Sequence, residues 1–402
     1  MEGMRKGVCA PKGFKAGSAL AGIKANPVKD DTALIVSDVP CSAAAVYTTN
    51  VVKADPLKVN MEHLKDHKAQ AILANSGNAN AAAANGWDHA KHMASAAAQM
   101  LNLKTEDVLV ASTGVIGVEL PSDKIAAALS SLELSENGSE AANIAIMTTD
   151  TRQKSLEITF ELDGKTCVIG GIAKGSGMIH PNMGTMLCFI TTDAAVSGKM
   201  LEKALKEGVK TTFNRISVDG DTSTNDMVIV LANGLAGNPE VDCENESYRV
   251  FASALRRLME GLAVEIARDG EGASRLLTVT VEGACCEQKA ETLAKSVVCS
   301  SLLKAAMFGQ DANWGRVICA MGYSGADFNP DEVDIAFASG KGEVKVCSNG
   351  RGLVFDEDLA ASILSEDAVD ILISLKEGNG TATCWGCDLT YEYVKINGDY
   401  RT

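Results

Sequence analysis

"KGSGMIHPNMGTMLCFITTDA", residues Lys174 to Ala194, joins a glycine-rich loop to an unbroken apolar run at the step Gly184-Thr185. A short apolar, β-branched run bounded by turn residues predicts a buried strand. The same signal returns in "TALIVSD" (Thr32 to Asp38), "AQAILANSG" (Ala69 to Gly77), "DVLVASTGVIG" (Asp107 to Gly117) and "DMVIVLANG" (Asp226 to Gly234). Alanine-rich "GWDHAKHMASAAAQMLNL" predicts a helix between two of these strands, and Ser197 is placed to cap another over "GKMLEKALKEGVKTTFN". "LLTVTVEGACC" leads into one predicted helix, "EQKAETLAKSVVCSSLLKAAMFG". "DILISLKEGNGTATCWGCDLTYEYVKI" reads as paired strands joined by a Gly-Asn-Gly turn. Strands alternating with helices predict an α/β fold with mixed sheets. At 402 residues the chain exceeds the about 250 to 300 that one core holds, so two or three packed units are expected.

Composition removes several classes of function. A formal net charge of −15, with lysines scattered singly, offers no basic stripe for a phosphate backbone, so nucleic acid is not expected as a partner. The opening "MEGMRKGVCAPKGFKAG" has basic residues but no apolar stretch behind them. No window reaches the about 18 to 20 apolar residues of a spanning helix, and a cytoplasmic protein without a membrane partner is expected. The 12 cysteines, including the adjacent pair Cys285-Cys286, are then expected as thiols rather than as a disulfide ladder.

The usual catalytic motifs fail one by one. His63, His67, His89, His92 and His180 form no zinc-binding spacing, and the first four, paired on helical faces without a companion ligand motif, read as surface residues, so no metal is expected. "DGDTSTND" opens like a calcium loop, but Thr224 stands where the sixth position needs glycine and Val230 where the twelfth needs glutamate. "CWGC" (Cys384 to Cys387) has redox spacing inside a strand run, which favours two buried thiols. "KGSGMIHPNMG" lacks the Gly-Lys-Ser/Thr ending of a phosphate loop.

The seam itself remains. Gly175, Gly177 and Gly184 give the backbone unusual freedom, Pro181 stiffens the turn, and the strand holds Thr185. Such a geometry can turn Oγ of Thr185 onto the carbonyl carbon of Gly184 for an N-to-O acyl shift, and hydrolysis of the ester then cuts the chain. The new α-amine, with a reference pKa of about 7.7 to 8, can act as base for its own hydroxyl. A threonine that merely opens a strand has the same signature, and spacing alone does not separate the two.

Longer motifs do. "AKGSGMIHPNMGTML", "ASTGVIG", "NRISVDGDTSTNDM", "RDGEGASRL", "FGQDANWGRV" and "CDLTYEYVKINGDYRT" occur in the order found in the glutamate N-acetyltransferase, or ornithine acetyltransferase, family of arginine biosynthesis, which the chain resembles from "GFKAG" to its last residue. The resemblance implies an N-terminal-nucleophile-like fold of the DmpA/ornithine acetyltransferase type, with mixed β-sheets sandwiched between helices and a second, smaller α/β domain. It implies a cut between Gly184 and Thr185, giving an α chain (1–184) and a β chain (185–402) that assemble as an α2β2 heterotetramer. Gly184 stands where the family usually has alanine, and Gly398 where alanine is frequent; cleavage is expected to survive the first change.

By the same resemblance Thr185 is the nucleophile, and Thr113 and Gly114 form the oxyanion hole. Thr148 (in preference to Thr151), Lys174, Thr185, Glu271, Asn397 and Thr402 bind substrate. Lys174 suits the carboxylate of an N-acetylated amino acid and Glu271 the distal ammonium of ornithine. The implied reaction moves acetyl from N2-acetyl-L-ornithine to L-glutamate in two steps without a cofactor. Some family members also accept acetyl-CoA, and the sequence leaves open whether this one does. Two rivals stand beside it: a self-processed N-terminal-nucleophile amidohydrolase or aminopeptidase, and an uncleaved metabolite-binding protein.

Overall fold

The computed structural model describes residues 6–24, 27–180 and 186–399, and divides the chain into two compact units. The first comprises residues 1–214 and 221–266. Its strands are β1 (Phe14–Ala19), β2 (Thr32–Tyr47), β3 (Lys68–Asn78), β4 (Val108–Val115), β5 (Lys154–Leu162), β6 (Lys165–Lys174), β7 (Leu187–Thr192) and, after the two-residue strand β8 (Ile216–Ser217) of the second unit, β9 (Met227–Ala232). They form one mixed sheet in the order β4-β3-β2-β9-β7-β6-β5, with β1 paired to β2. β7 and β9 are buried at every residue, which is why their sequences are continuous rather than alternating.

Helices α1 (Asp55–His63), α2 (Gly86–Leu101), α3 (Ser122–Ala128), α4 (Ser139–Ile146), α5 (Gly198–Thr211) and α6 (Glu246–Arg268) cover this sheet. Leu34, Val36, Leu73 and Val110 point from one face into Ala90, Met93, Ala97 and Ile125 of α2 and α3. Ile35, Ile72, Leu109 and Phe189 point from the other into Leu57 and into Ala142, Ala145 and Ile146 of α4. The expected sandwich is therefore present, as the alternation of side chains along a strand requires. A hairpin passed over in the sequence, β5 to β6, turns at Asp163-Gly164, both at positive φ as a two-residue type I′ loop demands. Strands from either side of position 184 interleave: β9 pairs with β2, β7 with β6, and Lys174 lies opposite Leu187.

The second unit, residues 215–220 and 267–402, holds the other sheet, ordered β13-β12-β11-β14-β10-β15-β8. Its remaining strands are β10 (Leu276–Ala284), β11 (Asp334–Ser339), β12 (Gly342–Ser348), β13 (Arg351–Gly352), β14 (Ala368–Ser374) and β15 (Gly380–Cys387). Helices α7 (Glu287–Val298), α8 (Ser301–Phe308), α9 (Trp314–Gly322) and α10 (Glu357–Leu364) bury Leu293, Val297, Leu303, Met307, Val317 and Ile363 against it, and α11 (Tyr391–Asp399) ends the described chain.

Four expectations need correction. The long helix after Cys286 is two, α7 and α8, because the Ser300 side chain accepts the Leu303 N–H and starts a second helix. β14 and β15 do not pair across the Gly-Asn-Gly turn; both pair with β10, in parallel and antiparallel respectively, and "YEYVKI" is helical. Ser197 stands at the N-cap of α5 without a side-chain hydrogen bond. His63 is buried, its Nδ1 2.9 Å from the Val108 carbonyl, whereas His89 and His92 each place Nδ1 at about hydrogen-bond distance from Ser122 Oγ, at 2.9 and 3.0 Å. Cys384 and Cys387 are, as expected, buried thiols in a strand. Among the described residues no helix is long and apolar enough to cross a membrane.

Candidate active site

The asparagine- and serine-rich strand ends of the first unit are not loose loops. Ser112 Oγ donates to Asn75 Oδ1 at 2.6 Å, and Asn75 Nδ2 donates to the Asn78 carbonyl at 2.9 Å. Asn225 Nδ2 donates to the carbonyls of Ala79 and Ser112 at 2.5 and 2.9 Å. These amides are buried, and the bonds they donate satisfy backbone carbonyls that would cost about 1–3 kcal/mol each if left alone. The ends of β3 and β4 and the loop before β9 are thus locked into one rigid edge.

Thr113 and Gly114 lie on that edge. Gly114 has φ +136°, and a Cβ there would overlap the backbone of Gly77 and Asn78. Gly114→Ala is accordingly expected to lower stability by about 1–3 kcal/mol from backbone strain alone. A melting temperature equal to that of the wild type would show that this edge is not held as described.

Lys174 ends β6, is 3% exposed, and its Nζ donates to Thr113 Oγ1 at 3.3 Å. Beside it stands Asp150, which the sequence reading missed while weighing the threonines of "TTDT". Its Oδ1 accepts from Lys154 Nζ at 2.8 Å and from the Gly175 N–H at 2.7 Å, and both members of the ion pair have fully buried side chains. Burial pushes the Asp150 carboxyl up, but the Lys174 and Lys154 ammonium groups and the Gly175 N–H outweigh it and hold the pKa far below the usual carboxylate range. Thr148 is half-buried in the loop after α4, and its N–H donates to Asp150 Oδ2 at 3.0 Å.

Asp226 was also missed, though it closes the discarded "DGDTSTND". Its Oδ1 accepts the Met186 N–H at 2.7 Å, and its Oδ2 has no hydrogen-bond partner among the described residues. Burial pushes this carboxyl well up, against the pull of the Met186 N–H and of Lys174. Acidic residues carry no periodicity, so no sequence signal separated these two from the chain's other carboxylates.

Gly184, Thr185 and Thr402 lie outside the described residues. Both flanks of the former pair are fixed. Thr222 Oγ1 donates to the His180 carbonyl at 2.9 Å, Ile179 bridges to Thr222, and Asp226 holds Met186. In the second unit Asn397 Nδ2 donates to Glu271 Oε2 at 2.8 Å. Gly272, at φ +68°, lets the start of α11 pass so close that a Cβ would meet the Tyr393 nitrogen at 2.6 Å. The structure thus brings Thr113, Lys174 and the Thr148 backbone together around Asp150, and separately joins Glu271 to Asn397. No group of three or more His, Cys, Asp or Glu side chains suited to a metal ion occurs among the described residues.

The ArgJ family profile matches residues 15–402. The Arginine biosynthesis bifunctional protein ArgJ of Symbiobacterium thermophilum is 52% identical over 406 residues, covering 100% of both chains. The protein of the same name from Caldanaerobacter subterraneus subsp. tengcongensis is 51% identical over 395 residues, 98% of each. A crystal structure of Arginine biosynthesis bifunctional protein ArgJ from Bacillus halodurans is 48% identical, with a TM-score of 0.50; the match covers 53% of this chain and 98% of that one. Identity of this extent over the whole length is conclusive, and the chain belongs to the ArgJ family of arginine-biosynthesis enzymes.

Proposed function

We propose that the enzyme cuts itself between Gly184 and Thr185 and uses the new N-terminal threonine to carry acetyl from N2-acetyl-L-ornithine to L-glutamate. The observation that carries this reading is buried Lys174, at the end of β6, reaching Thr113 beside Gly114, with Met186, just before β7, held by Asp226. The match to the Bacillus halodurans chain supports the cut: about half of this chain accounts for nearly all of that one, while full-length relatives match end to end.

In the first step the Thr185 α-amine takes the proton of Oγ as Oγ attacks the acetyl carbon. The developing oxyanion meets the Thr113 hydroxyl and the Gly114 N–H, each such donor lowering the barrier by about 3 to 4 kcal/mol. Ornithine leaves with a proton from that amine, and glutamate then takes the acetyl from the threonine ester by the reverse path. Lys174 is assigned to the substrate carboxylate, Glu271 with Asn397 to the distal ammonium, and Thr148 and Thr402 to the remaining polar contacts.

The test follows N-acetylglutamate formation from acetylornithine plus glutamate and, in a second vessel, from acetyl-CoA plus glutamate. Transfer in the first with parallel double-reciprocal lines is expected, because an acetyl-enzyme separates the two substrates. The second vessel decides whether the enzyme also makes N-acetylglutamate from acetyl-CoA. Release of acetate independent of glutamate would identify an amidohydrolase instead, and no turnover by a single 402-residue species a binding protein. Intact mass is expected to show two species that assemble as α2β2.

A further inference from the structure

None of the 12 cysteines is disulfide-bonded, and most are sealed in the two cores, where burial pushes the thiols up, to about 11 for Cys9 and about 12 for Cys41 and Cys384. Cys285 and Cys286 are different. They sit in the open at the junction of β10 and α7, with their sulfurs 3.9 Å apart and the Cys285 S–H donating to Cys286 Sγ. Cys286 is the N-cap of the 12-residue helix α7, and its sulfur makes no cap hydrogen bond but lies near the N–H groups of Gln288 and Lys289 in the first turn. Those N–H groups and the Cys285 thiol bring the Cys286 pKa down, and the Lys289 charge adds to them.

The surroundings hold the pair in place. Lys289 Nζ is 2.8 Å from Glu377, whose carboxylate also faces the backbone N–H of Cys285. The Glu377 and Gly378 N–H groups both donate to the Gly283 carbonyl, at 2.8 and 2.9 Å. The neighbouring sulfur is thus a fixed partner at contact distance, not a chance neighbour on a flexible loop.

We propose that Cys285-Cys286 is a reversible oxidation site, in which Cys286 is attacked first by a small hydroperoxide and Cys285 resolves the product to a vicinal disulfide. The Cys286 thiolate attacks the distal peroxide oxygen; the O–O bond breaks, an S–O bond forms, and the alkoxide or hydroxide takes a proton from water. Sulfur is oxidised to the sulfenic acid and the peroxide is reduced. Cys285, as thiolate, then attacks the Cys286 sulfur, the S–S bond forms, and the S–O bond breaks with loss of hydroxide, protonated to water. Consecutive Cα atoms are about 3.8 Å apart across a trans peptide, below the about 4.4 to 6.8 Å that disulfides usually span, so the product is readily reduced again by a monothiol.

The full-length protein supplies its own controls, since Cys243 and Cys319 are also exposed and the Cys243 thiol is pushed up by Asp242. Reduced protein is treated with hydrogen peroxide up to one equivalent per chain, alkylated, and digested with trypsin, which releases Leu276 to Lys289 as one peptide. The expected result is that this peptide loses two hydrogens and resists alkylation, that a monothiol reverses both, and that Cys243 and Cys319 oxidise several-fold more slowly. Cys285→Ala is expected to trap a dimedone-reactive sulfenic acid at Cys286, and Cys286→Ala to leave Cys285 reduced at the same dose; thermal melts confirm that both variants are folded. Oxidation of Cys243 or Cys319 first, an unchanged wild-type peptide, or equal oxidation in Cys286→Ala would overturn the assignment.

Discussion

Thr185→Ala is expected to purify as one uncut chain of 402 residues that transfers acetyl at least roughly 10⁴-fold more slowly than the wild type. Under the proposed mechanism the change removes the nucleophile of both reactions at once, whereas the contacts that fix the flanking residues, Asp226 to Met186 and Thr222 to His180, are untouched. The variant should therefore fold, which circular dichroism can verify before the rate is measured. Thr185→Ser keeps a hydroxyl and an amine and should retain both cutting and transfer at reduced rates. A cut chain in the alanine variant, or undiminished transfer, would remove Thr185 from the mechanism.

Asp150→Asn is expected to cost about 3–5 kcal/mol of stability, because it leaves two buried ammonium groups beside a neutral amide. An exposed ion pair of the same length would contribute about 0–1 kcal/mol, so burial decides the size of the effect. The pH dependence has a definite sign. The folded-state pKa of Asp150 is lowered, so its contribution is complete above the carboxylate range of the unfolded chain and is lost as pH falls through that range toward the folded value. Wild-type stability should fall on acidification from about pH 5 downward, and the asparagine variant should show a shallower slope over the same interval. Equal slopes in urea melts across this interval would show that the Asp150 charge is not linked to folding.

The legible part of the fold was its most buried part. β7 and β9 have no polar alternation because both faces are covered, and such runs are visible in sequence whatever their neighbours. Local signals failed where distant chain intervened. The Gly-Asn-Gly turn suggested a hairpin, but β10, about a hundred residues earlier in the chain, inserts between β14 and β15. The break between α7 and α8 was carried by one serine in an otherwise helical run. At the site, Ser112-Thr113-Gly114 and Lys174 acquired a role only through the family motifs. The burial of Asp150 and Asp226 beside Lys174 is a property of the folded chain and has no spacing of its own.

With the proposed cut at position 184, the interleaving of strands around it implies an order of events in the life of the molecule. β9 and β7 follow position 184 in the chain, yet they lie between β2 and β6, which precede it. Neither segment owns a contiguous half of this sheet, so the proposed cut requires the polypeptide to adopt its shape before it is severed. Denaturation after severing then becomes a bimolecular problem: the fragments must find each other again, and recovery depends on their concentration. The uncut alanine variant should regain its structure at any dilution, while the mature enzyme should lose that ability as it is diluted. Scission would thus exchange the capacity for independent recovery for a reactive terminus.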